Sequence, residues 1–375
     1  MLGKLKDKEE KYMKNTVDKL VNFSTKSLRN ENLARAFLDY WYHSNNVEGR
    51  YDTRYTLDAK EASVNRALKE EIIKRANLGI EVDAPVQEWF FYPNVAVAAF
   101  SVIGSLVDMI LPDSIIDTIG TYADVSVVDW GDNASFDVEP RDLFVVSRGT
   151  LGKREAEVRK QWNGQVTITP EIRSITVGVS LYKVLSGKES LAALAAKAIK
   201  SIETQMTVDV YNTMASTMAA IPATATTGLR VSGYTQATLV RLSEQVTAWN
   251  GGAKAMLLGT AVGLLNVLPN DANYRYDLES KYVSIGSIPT ISGIDVMRLP
   301  QVADIYTPWG RALSDTVLWL VSPSANKIVK LVMQGNTLAN TTATFEKADL
   351  RQTTTLWKSW GVGVATNSVA GQITL

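Results

Sequence analysis

The feature that most constrains this chain is one long helical run near its middle. Ser186 and Glu189 stand at the spacing of an S-x-x-E capping box, and a helix is predicted from there to about Ala220, stopped by Pro222. Leu191, Leu194, Ala198, Ile202 and Met206 fall on one face, and Val210, Met214 and Met218 extend it. At 1.5 Å per residue such a helix is roughly 50 Å long, where an average globular helix has about three turns. Small residues from Ala192 to Ala198 let neighbouring backbones pack closely. Lys200 falls on the polar face, where its removal is expected to be nearly neutral.

The residues before this helix divide into two kinds. To about Gly79 the pattern is helical and charged, with Met13, Val17, Leu20 and Val21 at helical spacing, and again Leu33, Phe37, Tyr40 and Trp41. A second helix is predicted over Asp58–Asn77, with Asp58 and Glu61 at capping-box spacing, the stripe Val64, Leu68, Ile72, and Gly79 beyond its end. Ser44 to Tyr55 reads as a connector, and the pair Glu70-Glu71 as a solvated face. The apolar stripes of this arm are narrow, which calls for a partner surface outside the arm. Val95–Leu111, between Pro93 and Pro112, is the most apolar stretch. It is shorter than the ~20 residues a spanning helix needs and carries Asp108, so a buried helix is expected.

From Tyr122 to Leu181 the period becomes two. Phe136 and Val138 alternate with Ser135, Asp137 and Glu139, and Val166 and Ile168 alternate with Gln165, Thr167 and Thr169. Between these runs lies the polar stretch Ser147–Gly164, the charged tip of what reads as a long two-stranded arm. Two strands alone are marginal in water, so such an arm needs a surface to lie on. After a Thr/Ala/Gly linker, Ala223–Gly233, the pattern is mixed. A helix over Thr235–Trp249 ends at Gly251-Gly252; a strand (Ala255–Leu258), a helix (Thr260–Leu268) and strands at Ile294–Leu299 and Thr316–Val321 follow. The tail is strand-rich, clearest at Ile328–Met333 and Thr353–Val364.

Reaction chemistry is hard to build from these residues. Lys+Arg and Asp+Glu balance at 39 each, which argues against a dedicated nucleic-acid binder. The absence of cysteine excludes disulfides and thiolate metal sites. His43 is the only histidine and reads as an ordinary surface or helix-end residue, so triads and multi-histidine metal sites cannot form within one chain. There is no P-loop, dinucleotide fingerprint or nucleophile elbow. Asp129, Asp132 and Asn133 lack the order of a calcium loop and read as a turn. The lysines at 4, 6, 8, 11 and 14 alternate with acids, as on a salt-laced helix surface. No catalytic residue, cofactor or metal is expected, and the chain is read as a non-enzyme. Residues 1–19 carry no apolar core of a secretory signal, so folding in the cytoplasm is expected.

The order of elements, together with "DMILPDSIIDTIGTYADV", "WGDNASFDVEPRDLFVVSRGTLGKR" and "GQVTITPEIRSITVGVSLYKVLSGKESLAALAAKAIKSIE", resembles the Hong Kong 97 fold of tailed-bacteriophage major capsid proteins. That resemblance implies an α+β chain in six parts. An N-terminal helical arm takes 1–80, a connector and buried helix 81–121, and an extended β loop 122–182. A spine helix of the peripheral domain takes 183–234, an axial domain 235–322, and a strand-rich return to the peripheral domain 323–375.

It also implies a function. The chain would self-assemble as pentamers and hexamers into an icosahedral phage head enclosing double-stranded DNA, with no membrane involved. Its partners would be other copies of itself, non-specific contact with DNA on the inner face, and scaffold, portal and decoration proteins. Its location would be the virion, after assembly in the host cytoplasm. An encapsulin-like bacterial nanocompartment shell is the alternative on the same fold. The loop tip would supply intersubunit contacts through Arg148, Lys153, Arg154, Arg159 and Trp162. Some family members join a lysine to an asparagine between subunits; Lys153 with Asn336 or Asn340 would be the pair here, and an unmodified Lys153 is expected.

Overall fold

A computed structural model describes residues 31–47, 49–138, 164–221, 228–267, 290–304, 307–323, 326–341 and 351–375. The first helix, α1 (Glu31–Ser44), buries the stripe Leu33, Phe37, Tyr40 and Trp41. The second, α2 (Leu57–Ala76), buries Val64, Leu68 and Ile72. Its cap is Thr56, two residues before Asp58: the Thr56 hydroxyl accepts from the Ala59 N–H, and the helix ends on Asn77 in the left-handed conformation, ahead of Gly79. The partner surface for these stripes is the chain's own core, where α1 and α2 pack on later helices. Glu71 is not solvated. It is 1% exposed and pairs with Arg75 at 3.2 Å, whose guanidinium also reaches Ser101 Oγ (2.9 Å) and Ser105 Oγ (3.2 Å).

After the short α3 (Val86–Phe90), helix α4 (Val95–Ile119) runs through Pro112 instead of stopping there. Proline removes one helical hydrogen bond, but Leu111, Ile115 and Ile119 are all fully buried around it, and that packing wins. The helix is long and apolar enough to cross a membrane by composition, yet 78% of its apolar window is buried inside this protein.

Strand β1 (Ala123–Val128) follows, then the ribbon β2 (Ala134–Val138) and β3 (Gly164–Ile168), β4 (Glu171–Ser180), and the short α5 (Leu181–Leu185). The long helix is α6 (Leu191–Ala219), 29 residues. Its cap is Ser190, whose hydroxyl accepts from the Ala193 N–H, so the box at Ser186 and Glu189 does not start it. The Ser186 hydroxyl is turned back onto the Lys183 carbonyl, closing α5.

The chain then enters a second module: β5 (Arg230–Ser232), α7 (Gln236–Trp249), β6 (Met256–Gly259), α8 (Ala261–Leu265), β7 (Thr290–Ile291), β8 (Ile294–Arg298) and β9 (Val317–Val321). Helix α7 opens on a reciprocal cap between Thr235 and Thr238 and stops before Gly251 and Gly252, both at positive φ. Two long strands, β10 (Val329–Thr341) and β11 (Arg351–Val364), and the short β12 (Gly371–Thr374) complete the described chain.

The strands make three sheets: β1-β10-β11-β4, β5-β12-β9-β6-β8-β7, and the ribbon β2-β3. This corrects the reading of Tyr122–Leu181 as a single arm. Strand β1 pairs in parallel with β10, and β4 pairs antiparallel with β11, so both belong to the four-stranded sheet and only β2 and β3 form the free ribbon. Alternation identifies a strand but not its partner, and here the partners lie some two hundred residues away. The tail also divides. Strands β10 and β11 return to the first sheet, whereas β12 crosses to the second, beside β5 and β9. One apolar core fills the space between α1, α2, α4, α6 and the four-stranded sheet; a smaller one lies under α7 in the six-stranded module.

Candidate functional site

The ribbon is the element with least support of its own, so the structure around its root decides where it points. Within it, Ser135 and Thr167 hydroxyls meet at 3.1 Å and Gln165 donates to Asp137 at 3.3 Å, both in the open. Phe136 lies under the Lys330 ammonium at 5.6 Å, and Lys330 is bonded to Asp124 on β1. Asp129 to Asp132 form the turn between β1 and β2, closed by the Asp132 N–H on the Asp129 carbonyl at 3.2 Å.

That turn rests on a bulge in β10, where the pairing with β11 shifts register between Gln334 and Leu338. Gly335 sits in the bulge at φ 57, and the Trp130 indole lies where a Cβ would stand, so no other residue fits there. Gln334 donates to the Asp132 carbonyl at 2.9 Å. On the other side of the ribbon, Gly361 of β11 lets the Thr169 carbonyl approach to within 2.8 Å of its Cβ position. Both ends of the ribbon are therefore pressed against β10 and β11.

The bulge is in turn fastened to α4. Asp108 accepts from the Thr337 N–H and hydroxyl, each at 2.7 Å, and from the Lys358 ammonium at 2.7 Å; Lys358 also donates to the Gly335 carbonyl at 2.6 Å. Asp108 and Lys358 are both buried. The four polar contacts satisfy two charges that would otherwise be costly in this core. A lone acid in an apolar helix was the only sequence signal of this knot; its partner lies 250 residues on.

A second fastening joins α6 to the edge strand β4. The Trp360 indole N–H donates to Asp209 at 3.0 Å, Gln205 donates to the same carboxylate at 2.9 Å, and Arg173 stands 3.6 Å from Asp209 and 5.7 Å over the Trp360 ring. An apolar cleft opens beside it, lined by Phe100, Ile175, Val177, Leu194, Ala198 and Leu356. Lys200 is not idle on a polar face. It pairs at 3.0 Å with Glu203, which is 5% exposed and also accepts from Thr118, so removing Lys200 would leave a buried carboxylate short of its main partner.

The five loop-tip residues named from sequence, Arg148, Lys153, Arg154, Arg159 and Trp162, lie outside the described residues, as do the N-terminal lysines. Asn336 and Asn340 are exposed on β10. His43 closes α1, stacked on Tyr51 at 4.3 Å. Among the described residues no group of three or more His, Asp or Glu side chains could hold a metal ion. The arrangement is one for holding a projecting ribbon and a long rod in fixed relation.

No family model and no curated protein matches this sequence. Among solved structures it is similar to the capsid of a native GTA particle, with a TM-score of 0.50 at 14% identity over 70% of this chain and 90% of that one. It is also similar to the capsid of an empty GTA particle (TM-score 0.47, 14% identity, 69% and 89% covered) and to a structure of Mycobacterium phage Bobi (0.44, 13%, 70% and 89%). Of these three the first carries the fold comparison. Helical layer, projecting ribbon, long rod, inserted six-stranded module and returning strands stand in the same order as in the resemblance read from sequence: this chain has the capsid-protein fold of Hong Kong 97 type.

Proposed function

We propose that this chain is a shell-building subunit, the major capsid protein of a tailed bacteriophage, which assembles as pentamers and hexamers around double-stranded DNA. The observation that carries the reading is the fold match to a GTA capsid covering 90% of that chain. The anchored ribbon supports it, since two exposed strands fixed so firmly at the root need a surface beyond the subunit. In this reading the β2-β3 ribbon within 122–182 belongs to the extended loop, 183–234 holds the spine, 235–322 the axial domain and 323–375 the return, while 1–80 forms the N-terminal arm. Arg148, Lys153, Arg154, Arg159 and Trp162 contact the neighbouring subunit. Closure of the shell satisfies every subunit's projecting parts at once. Scaffold, portal and decoration proteins would be further partners, and assembly would take place in the host cytoplasm.

Electron microscopy of the purified chain, with and without a co-expressed scaffold, tests this. Closed icosahedral particles are expected, and in them trypsin should spare the bonds after Arg148, Lys153 and Arg159 that it cuts first in free subunits. A chain that stays monomeric at high concentration with scaffold supplied would overturn the reading. Particles that enclose a protein cargo and never DNA would point to a compartment shell instead.

A further inference from the structure

The hairpin that follows β8 presents the most exposed large apolar side chain among the described residues: Trp309 is 101% exposed. The hairpin is well held from its base. The Ala312 N–H donates to the Val302 carbonyl at 2.9 Å and the Asp304 N–H to the Gly310 carbonyl at 3.1 Å, with Ala303 and Arg311 bridged between them. Gln301 exchanges two hydrogen bonds with the Leu313 backbone, at 2.8 and 3.1 Å. Arg311 pairs with Asp315 at 2.8 Å, and Asp315 accepts from Thr260 at 2.7 Å, which ties the hairpin to α8.

The tip is a four-residue turn, Thr307-Pro308-Trp309-Gly310, closed by the Gly310 N–H on the Thr307 carbonyl at 2.9 Å. Proline second and a positive φ third make the type II pattern, whose third place normally takes glycine or asparagine. Here that place holds tryptophan, at φ 61. A bulky L-residue is strained there. Gly310 cannot share the strain by changing, because a Cβ on it would lie 2.7 Å from the Thr307 Cβ. The indole adds nothing to the core of its own subunit and makes its own turn worse. Its contribution must be made to something outside.

Resting on the shell reading above, we propose that Trp309 is the anchor through which the six-stranded module docks onto a second copy of this chain. In a ring of identical subunits each copy carries both halves of a head-to-tail contact. This module supplies the second half as well as the first: Val262 and Leu265, on one side of α8, are 46% and 42% exposed, and Trp249 at the end of α7 is 59% exposed. A fully exposed indole is the kind of side chain that dominates an interface when it enters an apolar site.

The test is Trp309→Gly beside the parent and Trp309→Phe, in the full-length chain. The glycine variant should be as stable as the parent or more so in urea, because strain is relieved. Its assembly should need at least ten times more protein, and the phenylalanine variant should fall between. In parent particles Trp309 should be protected from hydroxyl-radical oxidation relative to free subunits. Assembly of Trp309→Gly at the parent's concentration, or equal oxidation of Trp309 in both forms, would overturn the inference while leaving the shell reading intact. Failure of the parent to assemble at all refutes the shell reading, and the docking role with it.

Discussion

Among the described residues of the module built on the four-stranded sheet, six charged side chains are buried: Lys60, Glu71, Asp108, Glu203, Lys330 and Lys358. Among the described residues of the six-stranded module the buried polar groups are neutral, Asn250, Thr260, Ser322 and Gln372, around an apolar core of Leu239, Leu242, Val246, Leu257, Leu318 and Leu320. The difference follows what each has to specify. In the first module helices α4 and α6 pack on a sheet whose strands come from distant parts of the chain, and a slip of one residue would leave a charge unpaired in apolar surroundings. In the second, short strands alternate over one small core, and side-chain shape alone sets the register. Burying charge is thus a device for fixing alignment where several elements meet, as well as a cost.

The largest effect expected from that contrast is at Lys358. Lys358→Met leaves Asp108 buried with Thr337 as its remaining partner, and should cost about 3–5 kcal/mol in urea unfolding. Pairing it with Asp108→Asn should recover most of the loss. A single variant as stable as the parent would mean that the ion pair does not hold helix to sheet. Next is Leu242→Ala, under Gly371 of β12, with an expected cost of about 2–5 kcal/mol. Hydrogen exchange should then accelerate in β6, β9 and β12 while β10 and β11 stay protected. Equal acceleration in both sheets would show one cooperative unit and dissolve the contrast.

The smallest effect concerns Asp113, at the border of the first module. Burial raises its carboxyl above the ordinary aspartate range, opposed by the Tyr42 hydroxyl at 2.7 Å, reinforced by the charge of Asp117 and opposed again by Arg50. The folded protein therefore binds this proton more tightly than the unfolded chain does. Its contribution to stability rises as pH falls through the raised folded pKa toward the unfolded value of about 4. The stability of the parent relative to Asp113→Asn should shift in the parent's favour between pH 7 and pH 4, by less than either effect above. Parallel Tm-against-pH curves for the two proteins would contradict the assignment.

Local pattern in the sequence carried the helices well and their surroundings poorly. The stripes of α1, α2 and α6 and the stop of α7 were legible because burial at helical spacing and left-handed glycines leave a local trace. The starts were displaced: acid-rich turns offer several residues at capping spacing, and only the backbone decides that Thr56 and Ser190 are the caps. The apolar run of α4 marked a buried helix, and tertiary burial carries it on through the local breaker Pro112 to Ile119. The ribbon's root was illegible. Trp130 meets Gly335, and Asp108 meets Lys358, across separations that periodicity cannot see. The solvated reading of Glu71 failed for a nearer reason, since the face it occupies looks onto α4.

The parallel pairing of β1 with β10 has a consequence for how the protein is made. Ala123–Val128 must wait for Val329–Gln334, and the six-stranded module from β5 to β9 is translated in between. At ribosomal speeds of about 5–20 residues per second, that delay is roughly 10 to 40 seconds. During it the nascent chain carries an unpaired strand and the apolar face of α4, a situation that invites chaperone binding. The second module is no quicker to finish, because its sheet lacks β12 until Gly371–Thr374 emerge. The ribbon cannot be seated before the bulge at Gly335 exists to receive Trp130. A polysome-bound chain therefore cannot complete either sheet, and closure of both modules is deferred until synthesis has run past both late strands.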